Sequence, residues 1–92
     1  MTFKAILTNL YFDGTPCGHR HKTPEAAESC GRKLLKVESY AEFYGGEADA
    51  VIVISCPETT AFTILYPGET LASKYPTLKM TDWEVEDKVV EP

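Results

Sequence analysis

The side chains best suited to chemistry lie in one short segment, Cys17-Gly18-His19-Arg20-His21, and a further cysteine, Cys30, follows nine residues after His21. In an extended segment alternate side chains share a face, so Cys17, His19 and His21 would point the same way. Four nitrogen and sulfur ligands can close a tetrahedral zinc site. Structural zinc sites usually pair ligands through short loops such as CxxC, however, and the sequence has none. It therefore favours a plainer interpretation, a core thiol at Cys30 beside two surface histidines, and we expect no cofactor.

The same residues would also allow a nucleophilic enzyme, in which Cys17 is the thiolate and His19 or His21 the base. No third, orienting group stands at a suitable place, and no oxyanion loop is visible. A chain of 92 residues has little core to spare for a substrate pocket. We therefore predict a protein that catalyses no reaction and takes no small-molecule substrate.

Charge is distributed unevenly along the chain. The formal net charge is −5, which argues against general binding to nucleic acid. Five of the nine basic residues nevertheless fall between positions 20 and 36, and we predict that they form a partner-binding surface: Arg20, Lys22, Arg32, Lys33 and Lys36. A solvated helix face would look the same in sequence. Five of the 14 acidic residues lie in the last 11 positions, where they favour solubility, with imitation of a nucleic-acid backbone as the alternative.

Length and composition indicate one globular domain spanning residues 1–92. The three cysteines are an odd number, which excludes a full disulfide framework and favours reduced thiols. No apolar run reaches the roughly 18 residues of a membrane helix. The apolar stretch at the N-terminus is too short for a signal peptide, so we expect a cytoplasmic protein with no membrane partner.

The elements that must position these residues begin with a predicted hairpin. Residues 3–12 alternate as a strand, Asp13-Gly14-Thr15-Pro16 reads as a turn, and residues 17–22 return as a second strand. Thr23 and Pro24 predict the cap and first position of a helix. Its apolar face would continue to Gly45-Gly46 through residues spaced three and four apart: Ala27, Cys30, Leu34, Val37, Ala41 and Tyr44. Residues 37–44 could equally form a strand.

The second half of the chain predicts strands. Residues 50–56 are rich in Val and Ile and indicate a buried, central strand, with residues 60–66 as its partner. Residues 70–75 predict a weaker extended segment, and the alternation from Trp83 onward is typical of a charged edge strand. The order ββαβββ predicts an α+β fold, an antiparallel sheet with one main helix packed on one face.

Taken from Met1-Thr2-Phe3-Lys4-Ala5-Ile6-Leu7 onward, in length and overall sequence, the chain resembles the bacteriophage-encoded inhibitors of type I-F CRISPR systems, the anti-CRISPR proteins, and their eighth family in particular. The segment from His19 to Cys30 is also similar to a strand-to-helix junction found in short phage proteins. The first resemblance supplies no binding residues.

The resemblance implies a protein that acts in the cytoplasm of the infected bacterium. It would bind the Cas subunits of the crRNA-guided surveillance (Csy/Cascade) complex, contact the crRNA, and block capture or hybridisation of target DNA. It would need neither catalysis nor a cofactor. The alternative that the sequence leaves open is a zinc-stabilised phage accessory or regulatory module.

Overall fold

The computed structural model describes residues 1–9, 12–37, 42, 44, 49–77 and 79–85. Its strands form one antiparallel sheet in the order β2-β1-β3-β4-β5. The predicted α+β fold, with one main helix packed on one face of the sheet, is confirmed. The strands are β1 (Lys4–Asn9), β2 (Phe12–Pro16), β3 (Val51–Cys56), β4 (Ala61–Leu65) and β5 (Glu84–Val85). The α-helices whose bounds are described are α1 (Pro24–Leu34) and the single turn α2 (Leu71–Lys74), and Met80–Asp82 form a 3₁₀ turn before β5.

The sheet has one buried and one half-exposed face. Ala5 of β1 lies opposite Ile54 of β3, which lies opposite Thr63 of β4, and all three are buried. Side chains of the alternate positions, such as Ile6 and Val53, are only half-buried. Helix α1 covers the buried face where β1 and β3 run side by side. The predicted strands at 50–56 and 60–66 are confirmed within one residue at each end, and β3 is central as predicted.

Helix α1 begins where the sequence predicts. The Thr23 side chain accepts a hydrogen bond from the backbone N–H of Ala26 at 3.1 Å, and Pro24 occupies the first turn. The predicted continuation to Gly45-Gly46 is wrong, because α1 ends at Leu34. Amides just beyond that point bond to carbonyls three residues back, which tightens the last turn, and Val37 is 46 % exposed.

Little more of the predicted second half of that helix can be compared. Glu42 and Tyr44 are helical, which agrees with a helix rather than a strand at these two positions, and Tyr44 is buried, as expected of a residue on the apolar face. Residues 38–41, 43 and 45–48 lie outside the described part of the chain.

The predicted N-terminal hairpin is displaced along the chain. Asp13–Pro16, predicted as a turn, belongs to β2, and Pro16 lies opposite Ile6 of β1. Residues 17–22, predicted as the returning strand, form a loop instead. Gly18 has a φ of +80°, which takes the backbone out of the extended conformation immediately after β2.

The region from residue 70 to residue 85 also differs in part from the prediction. Residues 71–74 form α2 rather than an extended segment, since Thr70 and Ser73 cap each other's backbone N–H groups. The predicted edge strand is present as β5, which pairs with β4. Trp83, just before β5, is buried with its ring 6.0 Å from that of Phe3. Among the described residues, no helix has the length and apolar character needed to cross a membrane.

The contact of α1 with the sheet leads to a test at Gly31. A Cβ atom there would lie 3.0 Å from the Cβ of Ala5 and 3.3 Å from Cγ2 of Ile52, so any branched or long side chain would push the helix away from the sheet. We expect Gly31→Leu to lower the free energy of unfolding by about 1–3 kcal/mol, measured by urea denaturation. Ser29→Leu, on the exposed side of α1, is the matched control and should change it by less than about 0.5 kcal/mol. Equal effects at the two positions would contradict this account of the packing.

Candidate metal centre and the surrounding basic surface

The loop formed by residues 17–22, here the 17–22 loop, is fixed at one end to β1 and at the other to Phe3, the residue just before β1. The N–H of Cys17 donates to the carbonyl of Ala5 at 2.8 Å. Four residues later, His21 and Phe3 exchange two backbone hydrogen bonds of 2.8 and 2.9 Å. The chain therefore leaves the sheet edge for Gly18, His19 and Arg20 and returns to a point just before the same strand.

This arrangement, together with α1, brings four ligand-type side chains into one cluster, here the Cys/His cluster: Cys17, His19, His21 and Cys30. Cys17 Sγ lies 3.7 Å from Nε2 of His21, and Cys30 Sγ lies 3.6 Å from Nδ1 of His19. All four ligand atoms lie within 4.8 Å of one another. Three come from the loop and the fourth from the second turn of α1.

The cluster lies at the margin of the core. Cys17 is buried, Cys30 and His21 are half-buried, and His19 is exposed. Burial raises the pKa of the Cys30 thiol and the nearby Cys17 raises it further, whereas the Lys33 ammonium acts in the opposite direction. Burial and the neighbouring Cys17 therefore favour the neutral form of the Cys30 thiol.

Chemically, the cluster is better suited to holding an ion than to attacking a substrate. Two sulfur and two nitrogen donors converge, which is the donor set of Cys₂His₂ metal sites. A cysteine nucleophile would need a histidine that a third group orients. Among the described residues, no carboxylate hydrogen-bonds to either histidine ring.

The sequence interpretation of Cys30 as a core thiol beside two surface histidines describes this region only in part. Cys30 packs against the core but is only half-buried, and its sulfur faces His19. Sequence reasoning did not identify the backbone partners that close the loop, Phe3 just before β1 and Ala5 on β1. No local signal in the sequence marks them.

The predicted basic surface divides into two groups. Four of its residues are exposed and form no ion pair among the described residues: Arg20, Lys22, Lys33 and Lys36. Arg32 is different, because its guanidinium donates to Oε2 of Glu28 at 2.9 Å and to the carbonyl of Glu69 at 2.6 Å. Glu28 also accepts from the first amide of α2, that of Leu71, at 3.3 Å. Arg32 thus joins α1 to α2 and has little freedom to meet a partner.

In comparisons with protein-family models, curated proteins and solved structures, no match to this chain was found. Its function must therefore be inferred from its own residues and their geometry.

The difference between Arg32 and its neighbours can be measured. We expect Arg32→Ala to lower the free energy of unfolding by about 1–2 kcal/mol, because it removes charge-assisted bonds that are partly shielded from water. Lys36→Ala, one turn further along the chain and exposed, should change it by less than about 0.5 kcal/mol. Urea denaturation of both variants checks this, and a stable Arg32→Ala protein would contradict the proposed role of Arg32 in joining the helices.

Proposed function

We propose that this protein is a non-catalytic inhibitor of the anti-CRISPR class, which binds the type I-F crRNA-guided surveillance complex of a bacterial host and prevents it from engaging target DNA. The observation that carries the proposal is a local basic surface on an otherwise acidic molecule. This surface, here the basic face, consists of Arg20, Lys22, Lys33 and Lys36. The resemblance to phage-encoded type I-F inhibitors names the partner.

The basic face is formed by two segments that are distant in sequence. The contact of 3.6 Å between His19 and Cys30 places the 17–22 loop against α1. Arg20 and Lys22 belong to that loop, while Lys33 follows Cys30 by one helical turn and is close enough to lower its pKa. Lys33 therefore lies near the loop that carries Arg20 and Lys22, and the exposed Lys36 follows three residues later, just beyond the end of α1.

This charge distribution suits a specific partner more than nucleic acid in general. The net charge of −5 disfavours long-range attraction to any polyphosphate. A few bases on one side can still pair with acidic protein groups or with the phosphates of a crRNA held on a protein surface. A standard interface buries about 800 Å² per partner, which is roughly one-seventh of this chain's accessible surface of 5983 Å². One side of the domain is large enough for that contact.

The test uses the assembled type I-F complex. We expect the protein to co-elute with it in size-exclusion chromatography and to abolish binding of target DNA in a mobility-shift assay. The double variant Arg20→Glu/Lys33→Glu should weaken binding at least tenfold, because each change replaces an attraction with a repulsion. Lys79→Glu, at an exposed position remote in sequence from the basic face, is the matched control.

Two results would contradict different parts of the proposal. Separate elution of the unmodified protein would overturn the function itself. Equal affinities for the double variant and Lys79→Glu would leave the inhibitor but overturn the basic face as its contact surface.

The Cys/His cluster favours a second candidate, a zinc-stabilised phage accessory or regulatory module that uses the same face for another partner. The cluster is the specific observation, since the resemblance to type I-F inhibitors implies no cofactor. A pull-down from infected cells, with the partner identified by mass, separates the two candidates. Recovery of Cas subunits supports the inhibitor, and recovery of a phage or host regulator without Cas subunits supports the second candidate.

A further inference from the structure

We infer that Cys17, His19, His21 and Cys30 form a structural Zn²⁺ site that joins the 17–22 loop to α1. Such a site is beyond what the proposed inhibitor requires, and it does not depend on which partner the basic face binds. It would make the ion part of the folded protein rather than of any reaction.

The distances fit a tetrahedral ion. With Zn–S bonds of about 2.3 Å and Zn–N bonds of about 2.0–2.1 Å, tetrahedral angles place a sulfur and a nitrogen ligand about 3.6 Å apart. The two measured pairs are Cys17 Sγ to His21 Nε2 at 3.7 Å and Cys30 Sγ to His19 Nδ1 at 3.6 Å. These separations match two ligands of one tetrahedral ion, and in the absence of an ion they are also those of an S–H···N hydrogen bond. All remaining pairs lie within 4.8 Å, so small side-chain rotations complete the geometry.

The backbone already holds the ligands in place. Cys17 and His21 are fixed by hydrogen bonds to Ala5 and Phe3, and Cys30 is fixed by α1. His19 reaches the cluster because Gly18 turns the chain at positive φ between Cys17 and His19. A C-x-H-x-H loop thus supplies three ligands and replaces the CxxC pair that the sequence lacks. Ligands from two separate elements are typical of sites that stabilise a fold.

The donor set selects the metal. Two thiolates and two imidazoles suit Zn²⁺, whereas Mg²⁺ and Ca²⁺ require oxygen ligands. Binding releases a proton from each thiol, and the two thiolates then balance the two charges of the ion. All four positions are filled by protein ligands, leaving none for a water molecule, so the site is structural and not catalytic.

The ion has a clear mechanical role in this fold. His19 and Arg20 are exposed, and apart from the two chain neighbours no atom lies within 4 Å of a Cβ built at Gly18. The contacts of the loop tip are polar: the Cys17 thiol donates to the His19 carbonyl at 3.5 Å, and the His19 ring faces Cys30. Apolar packing therefore contributes little to the position of the loop tip. A metal bond from His19 to the same ion as Cys30 would fix that tip against α1.

The inference is tested on the full-length chain, produced without a histidine tag and purified in the presence of a thiol reductant. We expect elemental analysis to find about one zinc per chain. Exchange for Co²⁺ should give the visible bands of tetrahedral cobalt together with thiolate-to-metal charge transfer. Addition of a strong chelator should lower the melting temperature by more than about 5 °C.

Three variants identify the ligands. Cys30→Ser and His19→Ala replace partly exposed or exposed side chains, so the domain should still fold while the zinc content falls at least tenfold. Cys56→Ala is the matched control, because Cys56 is a third cysteine that lies in the core outside the Cys/His cluster, and it should retain its zinc. Circular dichroism of each variant verifies folding.

Several results would overturn the inference. They are absence of zinc after incubation with equimolar Zn²⁺, unchanged zinc in Cys30→Ser, and a Cys17–Cys30 disulfide in protein purified under reductant. None of them bears on co-elution with the surveillance complex, so failure of the metal site and failure of the proposed function remain distinguishable.

Discussion

The close approach of α1 to the sheet at Gly31 is the constraint on which the rest of the structure depends. With Ala5 Cβ only 3.0 Å from the place that a Cβ of residue 31 would take, the helix backbone lies directly on β1 and β3. This close contact places the neighbouring Cys30 beside the 17–22 loop, which is hydrogen-bonded to Phe3 and Ala5. A larger residue at position 31 would lift the helix and separate the fourth donor atom from the other three. The absence of a side chain at Gly31 therefore determines the geometry of the Cys/His cluster.

Most of the fold could be predicted from local signals in the sequence. The predictions are wrong where a distant contact or a backbone turn determines the structure. The cap at Thr23, the Val- and Ile-rich β3 and its partner β4 are readable because neighbouring residues determine them. The predicted helix extended too far, since the periodicity of residues 37–44 says nothing about the backbone turn after Leu34. The helical turn α2 carried its own signal, a Thr and a Ser three apart, which the extended interpretation of residues 70–75 overlooked.

The candidate site was predictable in composition but not in geometry. Alternation placed Cys17, His19 and His21 on one face of a strand, and the structure brings them together through a closed loop instead. The position of Cys30 depends on the height of the helix above the sheet, which no spacing in the sequence reveals. Arg32 is a second example of a residue whose long-range contact the sequence does not reveal. Its pairing with Glu28 at i,i+4 was visible, yet its bond to the Glu69 carbonyl, 37 residues away, withdraws it from the predicted binding surface.

The Cys/His cluster and the basic face are connected through the conformational freedom of the loop. A mobile Arg20 would lose side-chain and backbone entropy on binding, and that loss subtracts from the affinity of any interface. The proposed ion fixes His19 against Cys30 and thereby lowers this cost before the partner arrives. It does so without changing the electrostatics of the face, because the charges of two thiolates and one divalent cation cancel. In the proposed complex the bases then keep their full charge toward the partner, while the net negative charge of the molecule disfavours attraction to polyphosphates in general. The proposed neutral metal centre among basic residues would thus be an effective way for so small a domain to hold a rigid contact surface.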